Sequence, residues 1–95
     1  MPHFVYILAS RPNGALYIGR TSNIAARLEA HRSGTFEGHT KRFRITCLVW
    51  LERHKSFETS LRRERSLKRW RREWKNALIA EHNPNWDDIT HAIPA

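Results

Sequence analysis

The chain opens on an unbroken apolar run, Phe4-Val5-Tyr6-Ile7-Leu8-Ala9. A strand that is apolar on both faces is one covered on both, so this one is expected at the centre of a sheet. Pro12, Asn13 and Gly14 then supply a turn, respectively through a fixed φ, a side chain that bonds to its own backbone, and freedom at φ > 0. A second short strand follows, and each strand carries one tyrosine, Tyr6 and Tyr17. With a loop of two or four residues the opposed positions sum to an odd number and the phenols share a face; a loop of three or five parts them.

After Gly19, Thr21 or Ser22 is expected to cap a helix over residues 23–32, which Ser33-Gly34 ends. Ile24 and Leu28 form its apolar line, and Arg27 and His31 stand at i and i+4 on one flank of it, near enough to face the sheet. From Thr35 to Arg44 no period holds and a loop is expected. The β-branched and aromatic run Ile45–Glu52 predicts a third strand. A helix resumes near Ser56. With Phe57 as origin, a rotation of about 100° per residue sets Leu61 on one side of a common apolar face and Ser60 and Leu67 on the other, with Glu64 in its middle. Trp70, Trp74 and Leu78 continue on a neighbouring stripe, so this helix either runs on or bends into a second that reaches Glu81, where Asn83-Pro84 stops it. The expected fold is a small α/β domain over residues 1–95, with a three-stranded, mainly antiparallel sheet flanked by helices. Residues 83–95 form a tail packed back on the body, anchored by Trp86.

Composition narrows the partners. Lys and Arg number 17 against 9 acidic residues, a net charge of +8, while 40% of the chain is hydrophobic. A folded domain of that charge attracts polyanions, nucleic acid first among them. A lone Cys47 leaves neither an internal disulfide nor a thiolate zinc cage, and its apolar neighbours place it in the core. No apolar run approaches a bilayer span and the start lacks a charged region followed by an h-region, so a cytoplasmic location without membrane contact is expected.

Glu64 is the sharpest anomaly. A carboxylate on the buried stripe of an arginine-rich helix has to be paired, metal-bound or protonated. It is either the partner of Lys68 at i+4 or of a nearby arginine, or a ligand for a hard divalent cation such as magnesium, which one or two carboxylates plus waters and phosphate commonly hold. Arg27 is either a solvated helix residue or a phosphate clamp. His31 is either a structural histidine or a proton relay, and the tyrosines are either core aromatics or one side of a site. Trp70, Trp74 and Trp86 are read as packing the tail on the helices; exposed, they would offer an apolar patch to a protein partner.

As a set, these residues resemble the GIY-YIG nuclease superfamily. The first triad stands as Phe4-Val5-Tyr6 and the second as Tyr17-Ile18-Gly19, followed by Arg20-Thr21-Ser22-Asn23-Ile24 and then by Arg27 and His31. The helix from Leu61 to Trp70 is similar to the family's segment with its single glutamate, here Glu64. The closing run Asn83 to Ile89 is similar to the end of small single-domain bacterial members related to the nuclease domain of the repair protein UvrC. Phe4-Val5 departs from the motif's Gly-Ile, and Phe43 stands where many small members have a tyrosine.

The resemblance implies a metal-dependent endonuclease that hydrolyses phosphodiester bonds in DNA, in repair or processing, with Mg2+ (or Mn2+) as cofactor. It implies Tyr6 and Tyr17 as the motif tyrosines, one of them the general base, and Gly19 as the glycine that leaves space beside the site. Arg27 would steady the scissile phosphate, His31 would support proton transfer, and Glu64 would hold the metal. A phenol of pKa about 10 is a poor base at pH 7, so its neighbours would have to lower it. Arg20, Lys41, Arg65, Lys68, Arg69 and Arg72 are the expected nucleic-acid contacts, and a protein partner would supply specificity. The competing reading is a non-catalytic, basic nucleic-acid-binding module, for which charge alone suffices.

Overall fold

Strand β1 (His3–Ala9) lies at the middle of a three-stranded sheet of order β2-β1-β3, between β2 (Leu16–Thr21) and β3 (Cys47–His54), with both pairings antiparallel. The computed structural model describes residues 2–34 and 44–93, so Lys41 and Phe43 lie outside the described residues. Among the described residues three helices flank the sheet of this α/β fold: α1 (Ile24–Ser33), α2 (Phe57–Arg69) and α3 (Arg72–His82), with a short 3-10 turn at Thr90–Ala92.

The double-sided apolar run of β1 is used on both sides. Phe4, Tyr6 and Leu8 pack with Ile24 and Leu28 of α1 and with Ile45 and Leu48. Val5, Ile7 and Ala9 pack with Leu67 of α2, Ile79 of α3 and Trp86. Alternation along one strand therefore builds two cores back to back.

The third strand begins two residues later than expected. Ile45 is fully buried but makes no ladder pair, and the strand runs on to His54. A β-bulge explains why its apolar run does not alternate: Ile7 faces Trp50 while Leu8 faces Leu48, so Val49 is the extra residue and both Val49 and Trp50 enter the α2/α3 core. The tail then seals this edge. Asn83 Nδ2 donates to the Val49 carbonyl (3.1 Å) and Ile89 N–H to the Leu48 carbonyl (2.8 Å), satisfying acceptors that an open edge would present. Cys47 sits at the core's margin, half-buried.

Capping fixes the helices. Asn23, rather than Thr21 or Ser22, caps α1 by accepting from Ala26 N–H, while Thr21 Oγ1 accepts from Asn23 N–H; Gly34 closes the helix at φ 78°. Ser56 caps α2. The chain does bend after it: Trp70 and Arg71 are both extended and form an elbow into α3. The helical face anchored on Phe57 is narrower than expected, because Phe57 is 44% exposed and the buried positions of α2 are Ser60 and Leu67. Trp86 is buried against the sheet, but Trp74 does not hold the tail and is 54% exposed. Among the described residues no helix is long and apolar enough to cross a membrane.

Candidate active site

The β1–β2 hairpin sets the first two groups. Ser10 N–H bonds the Ala15 carbonyl (3.0 Å) and Gly14 N–H the Arg11 carbonyl (2.8 Å), so the loop holds four residues and opposed positions sum to an odd number. Tyr6 faces Gly19 and Tyr17 faces Leu8, which puts the phenols on one face with ring centroids 6.2 Å apart. The left-handed residue of the turn is Asn13 (φ 58°), not Gly14. Gly14 is needed for space, since a Cβ there would fall 2.7 Å from Arg11 Cγ.

Gly19 is also a matter of space, and what fills that space is protein. Lying opposite Tyr6, it leaves the room the ring occupies; a Cβ would fall 2.5 Å from Tyr6 Cζ and 2.9 Å from Cε1. The glycine is thus half of the tyrosine's seat.

Helix α1 closes over the pair. Its i, i+4 spacing brings both Arg27 and His31 to the phenols. His31 Nε2 is 3.0 Å from the Tyr6 hydroxyl, and the His31 ring lies edge-on to both tyrosines, at 5.9 Å from Tyr6 and 5.0 Å from Tyr17. The Arg27 charge acts on the same phenol and favours its ionised form. Tyr6 and His31 are buried, while Tyr17 and Arg27 are half-buried.

Burial pushes the Tyr6 phenol above its ordinary range, with Tyr17 and Glu64 raising it further; Arg27 opposes the shift without cancelling it. The lowering that a phenolate base would need is therefore not found at Tyr6. Burial, followed by the Arg27 charge, holds His31 below its usual value. Both groups are neutral near pH 7, so a single proton joins the phenol oxygen to His31 Nε2, and the imidazole tautomer decides which of the two donates.

Glu64 lies between Ser60 and Leu67 on the sheet-facing stripe of α2, close enough to Tyr6 to act on its charge. Its carboxylate meets Lys68 Nζ at 3.2 Å and Arg20 Nε at 3.9 Å, and its side chain keeps 17% of its surface in contact with solvent. Arg20 in turn lies over the Phe57 ring, 4.4 Å from its centroid. Among the described residues no group of three His, Cys, Asp or Glu forms a metal cage. One partly exposed carboxylate fits a hard divalent cation whose remaining positions go to water and phosphate, at the cost of exchanging Lys68.

The remaining cations sort by what already holds them. Arg65, Lys68 and Arg69 project from α2 into solvent. Arg72 is turned to the hairpin, where it donates to the carbonyls of Asn13 (3.2 Å) and Gly14. Its role there is structural, because it ties α3 to the turn between the tyrosine strands. Arg63, which sequence did not separate from its neighbours, lies between Trp50 and Trp70 at 5.6 and 5.4 Å and pairs with Glu52 at 3.1 Å. Asn83 also escaped notice as a functional part: the Asn-Pro step signals a helix stop, but not a side chain that bonds three backbone groups.

The GIY-YIG catalytic domain matches residues 2–77. A UPF0213 protein of Staphylococcus haemolyticus is 37% identical over 79 residues, 83% of this chain and 95% of the relative, and UPF0213 proteins of Staphylococcus aureus match to the same extent. The solution NMR structure of a UPF0213 protein from Bacillus halodurans superposes over the full length of both chains with a TM-score of 0.59 at 26% identity.

Proposed function

This chain belongs to the GIY-YIG catalytic-domain family, a family of nucleases, and from that premise we propose that it is a metal-dependent endonuclease hydrolysing phosphodiester bonds in DNA. The observation that carries the proposal is the Tyr6 hydroxyl 3.0 Å from Nε2 of the neutral His31, with the charges of Arg27 and Glu64 both acting on it.

A phenol this reluctant to ionise serves as a relay rather than a free phenolate. As a water oxygen attacks phosphorus, its proton passes to the Tyr6 oxygen while the Tyr6 proton moves to His31 Nε2. The phosphorus–oxygen bond to the leaving strand breaks as the new one forms, and the leaving oxygen keeps the bonding pair and takes a proton from solvent, while His31 later returns the one it received. Arg27, beside the phenol, offsets the negative charge that grows on the phosphate. Tyr17, in ring contact with His31, holds the imidazole's orientation and lines the approach. Glu64 would hold Mg2+ or Mn2+, which when bound supplies positive charge at the phosphate. Repair or processing of DNA is the setting in which such a domain works, with specificity borrowed from a partner.

The test is nicking of supercoiled plasmid in magnesium by the wild type beside Glu64→Ala and Arg27→Ala. Loss of nicking in both variants is expected; equal nicking by all three would sink the assignment. One observation favours a second reading, a binding module without activity: Glu64 already has cationic partners in Lys68 and Arg20. That reading requires salt-sensitive DNA binding by the wild type with no nicking at any magnesium concentration.

A further inference from the structure

Helix α2 has a second working face. Arg62, Arg65 and Arg69 are exposed and fall within about 60° of one another around its axis, at least about 100° from Glu64. They line an open groove of about 620 Å³ that ends on Trp70 and Trp74, at the elbow where α2 gives way to α3. Glu58 is the single acid among the residues lining it.

Trp74 is the unexplained residue of that groove. Trp50 and Trp86 are 3% and 6% exposed, whereas Trp74 is 54% exposed. Among the described residues the other exposed large hydrophobic, Phe57, is already covered by Arg20 and touched edge-on by His3. Trp70 meets Trp74 edge-to-face at 6.3 Å, and the Arg71 guanidinium lies over the Trp74 ring at 5.6 Å from its centroid, a cation an incoming base would displace or share the indole with. An exposed indole at the end of an arginine stripe combines a stacking surface with a phosphate track. Arg62 to Arg69 span about 10 Å of helix axis, enough to meet more than one phosphate of a single strand.

We infer that this groove binds a single-stranded segment of nucleic acid, with its phosphates on Arg62, Arg65 and Arg69 and a base stacked on Trp74. A duplex would use the arginines but leave the indole idle, because the faces of its bases are covered by their neighbours. The inference deepens the nuclease reading by giving its substrate class, a nucleic acid with an unpaired strand beside the site on the far side of α2. It rests on that reading for the substrate only, not for the binding.

The test is fluorescence anisotropy of the whole chain in EDTA, where metal-dependent cleavage is silent, with labelled twelve-nucleotide oligo-dT and oligo-rU and a duplex of equal length. Trp74→Ala is expected to weaken single-strand binding about tenfold or more and leave duplex binding within about twofold, with Trp74→Phe restoring most of the loss. Arg65→Gln with Arg69→Gln should flatten the slope of log K against log salt by about 1.4 for the single strand. The tighter of the two oligonucleotides assigns the sugar. Far-UV circular dichroism that matches wild type guards against misfolding. Equal loss on duplex and single strand, or no loss in Trp74→Ala, would overturn the inference. So would equally tight, Trp74-dependent binding of polyglutamate, which would give the groove to an acidic protein. Plasmid nicking in magnesium is independent of these titrations: if nicking fails while single-strand binding holds, the nuclease reading falls and the groove stands.

Discussion

The two halves of the candidate site are built by different physics. On the α1 side, Tyr6, His31 and Gly19 are locked by packing: the groups are buried, neutral and fixed by a hydrogen bond and a close ring-to-backbone contact. On the α2 side, Glu64 is held by two cations at 3.2 and 3.9 Å, one of them on the exposed Lys68 side chain. The first half is rigid and costly to alter. The second is exchangeable, which would suit the proposed uptake of an ion by Glu64 in place of a lysine. Fixed geometry here is carried by one wall, and adaptability by the other.

The largest expected effect comes from breaking the rigid wall at its centre. Tyr6→Phe removes the proposed relay and leaves buried His31 Nε2 without its hydrogen-bond partner, so nicking should fall about 10²- to 10⁴-fold, with a loss of about 1–3 kcal/mol in urea unfolding. Gly19→Ala should come next. The added methyl meets the Tyr6 ring, so a stability loss of about 1–3 kcal/mol and a displaced phenol are expected, seen as a changed near-ultraviolet tyrosine spectrum as well as lower activity.

Acidity separates the walls more gently. The folded protein holds His31 below its ordinary pKa, so between that folded value and about 6.5 the unfolded chain binds more protons and stability falls as the pH is lowered. Tyr6 is raised in the fold, so stability is full below about pH 10 and declines above it, where the unfolded phenol ionises first. Thermal melts across pH should show both limbs, and His31→Gln should remove the acid one. The smallest effect belongs to the exchangeable wall. Lys68→Ala should cost at most about 0.5 kcal/mol, as exposed i, i+4 pairs do, yet lower the magnesium concentration for half-maximal nicking severalfold, because Glu64 then has one partner fewer to shed. An unchanged magnesium dependence would show that the pair does not compete with the ion.

The contrast between the walls also marks what the sequence could tell. The hairpin was legible because its evidence is local, a turn signal between two short apolar runs; the loop length that decides whether the phenols share a face was not, and the four-residue loop puts them on one side. The common flank of Arg27 and His31 followed from helical spacing, and their roles only from the family resemblance. Glu64 stood out as a charge on an apolar stripe, and the ion pair expected with Lys68 is present. What sequence could not show depends on long-range packing. The bulge at Val49 shifts the pairing of β3, and the elbow at Trp70-Arg71 turns Trp74 outward. Nor can composition sort one arginine from another. Arg63 is stacked between indoles, Arg72 ties a turn, and Arg65 and Arg69 stand in solvent, though all are neighbours on one basic run.

The bond from Ile89 to Leu48 and those of Asn83 to Val49 and Asp87 matter most to anyone who would move this unit. The family match stops at residue 77, midway through α3, yet Ile79 and Trp86 fill the core beyond it and the tail closes the β3 edge. A fragment cut at the boundary of the match would carry every candidate catalytic side chain and still expose a sticky strand. A graft onto a targeting module has to include the chain through Ile89, and is better joined by its other end.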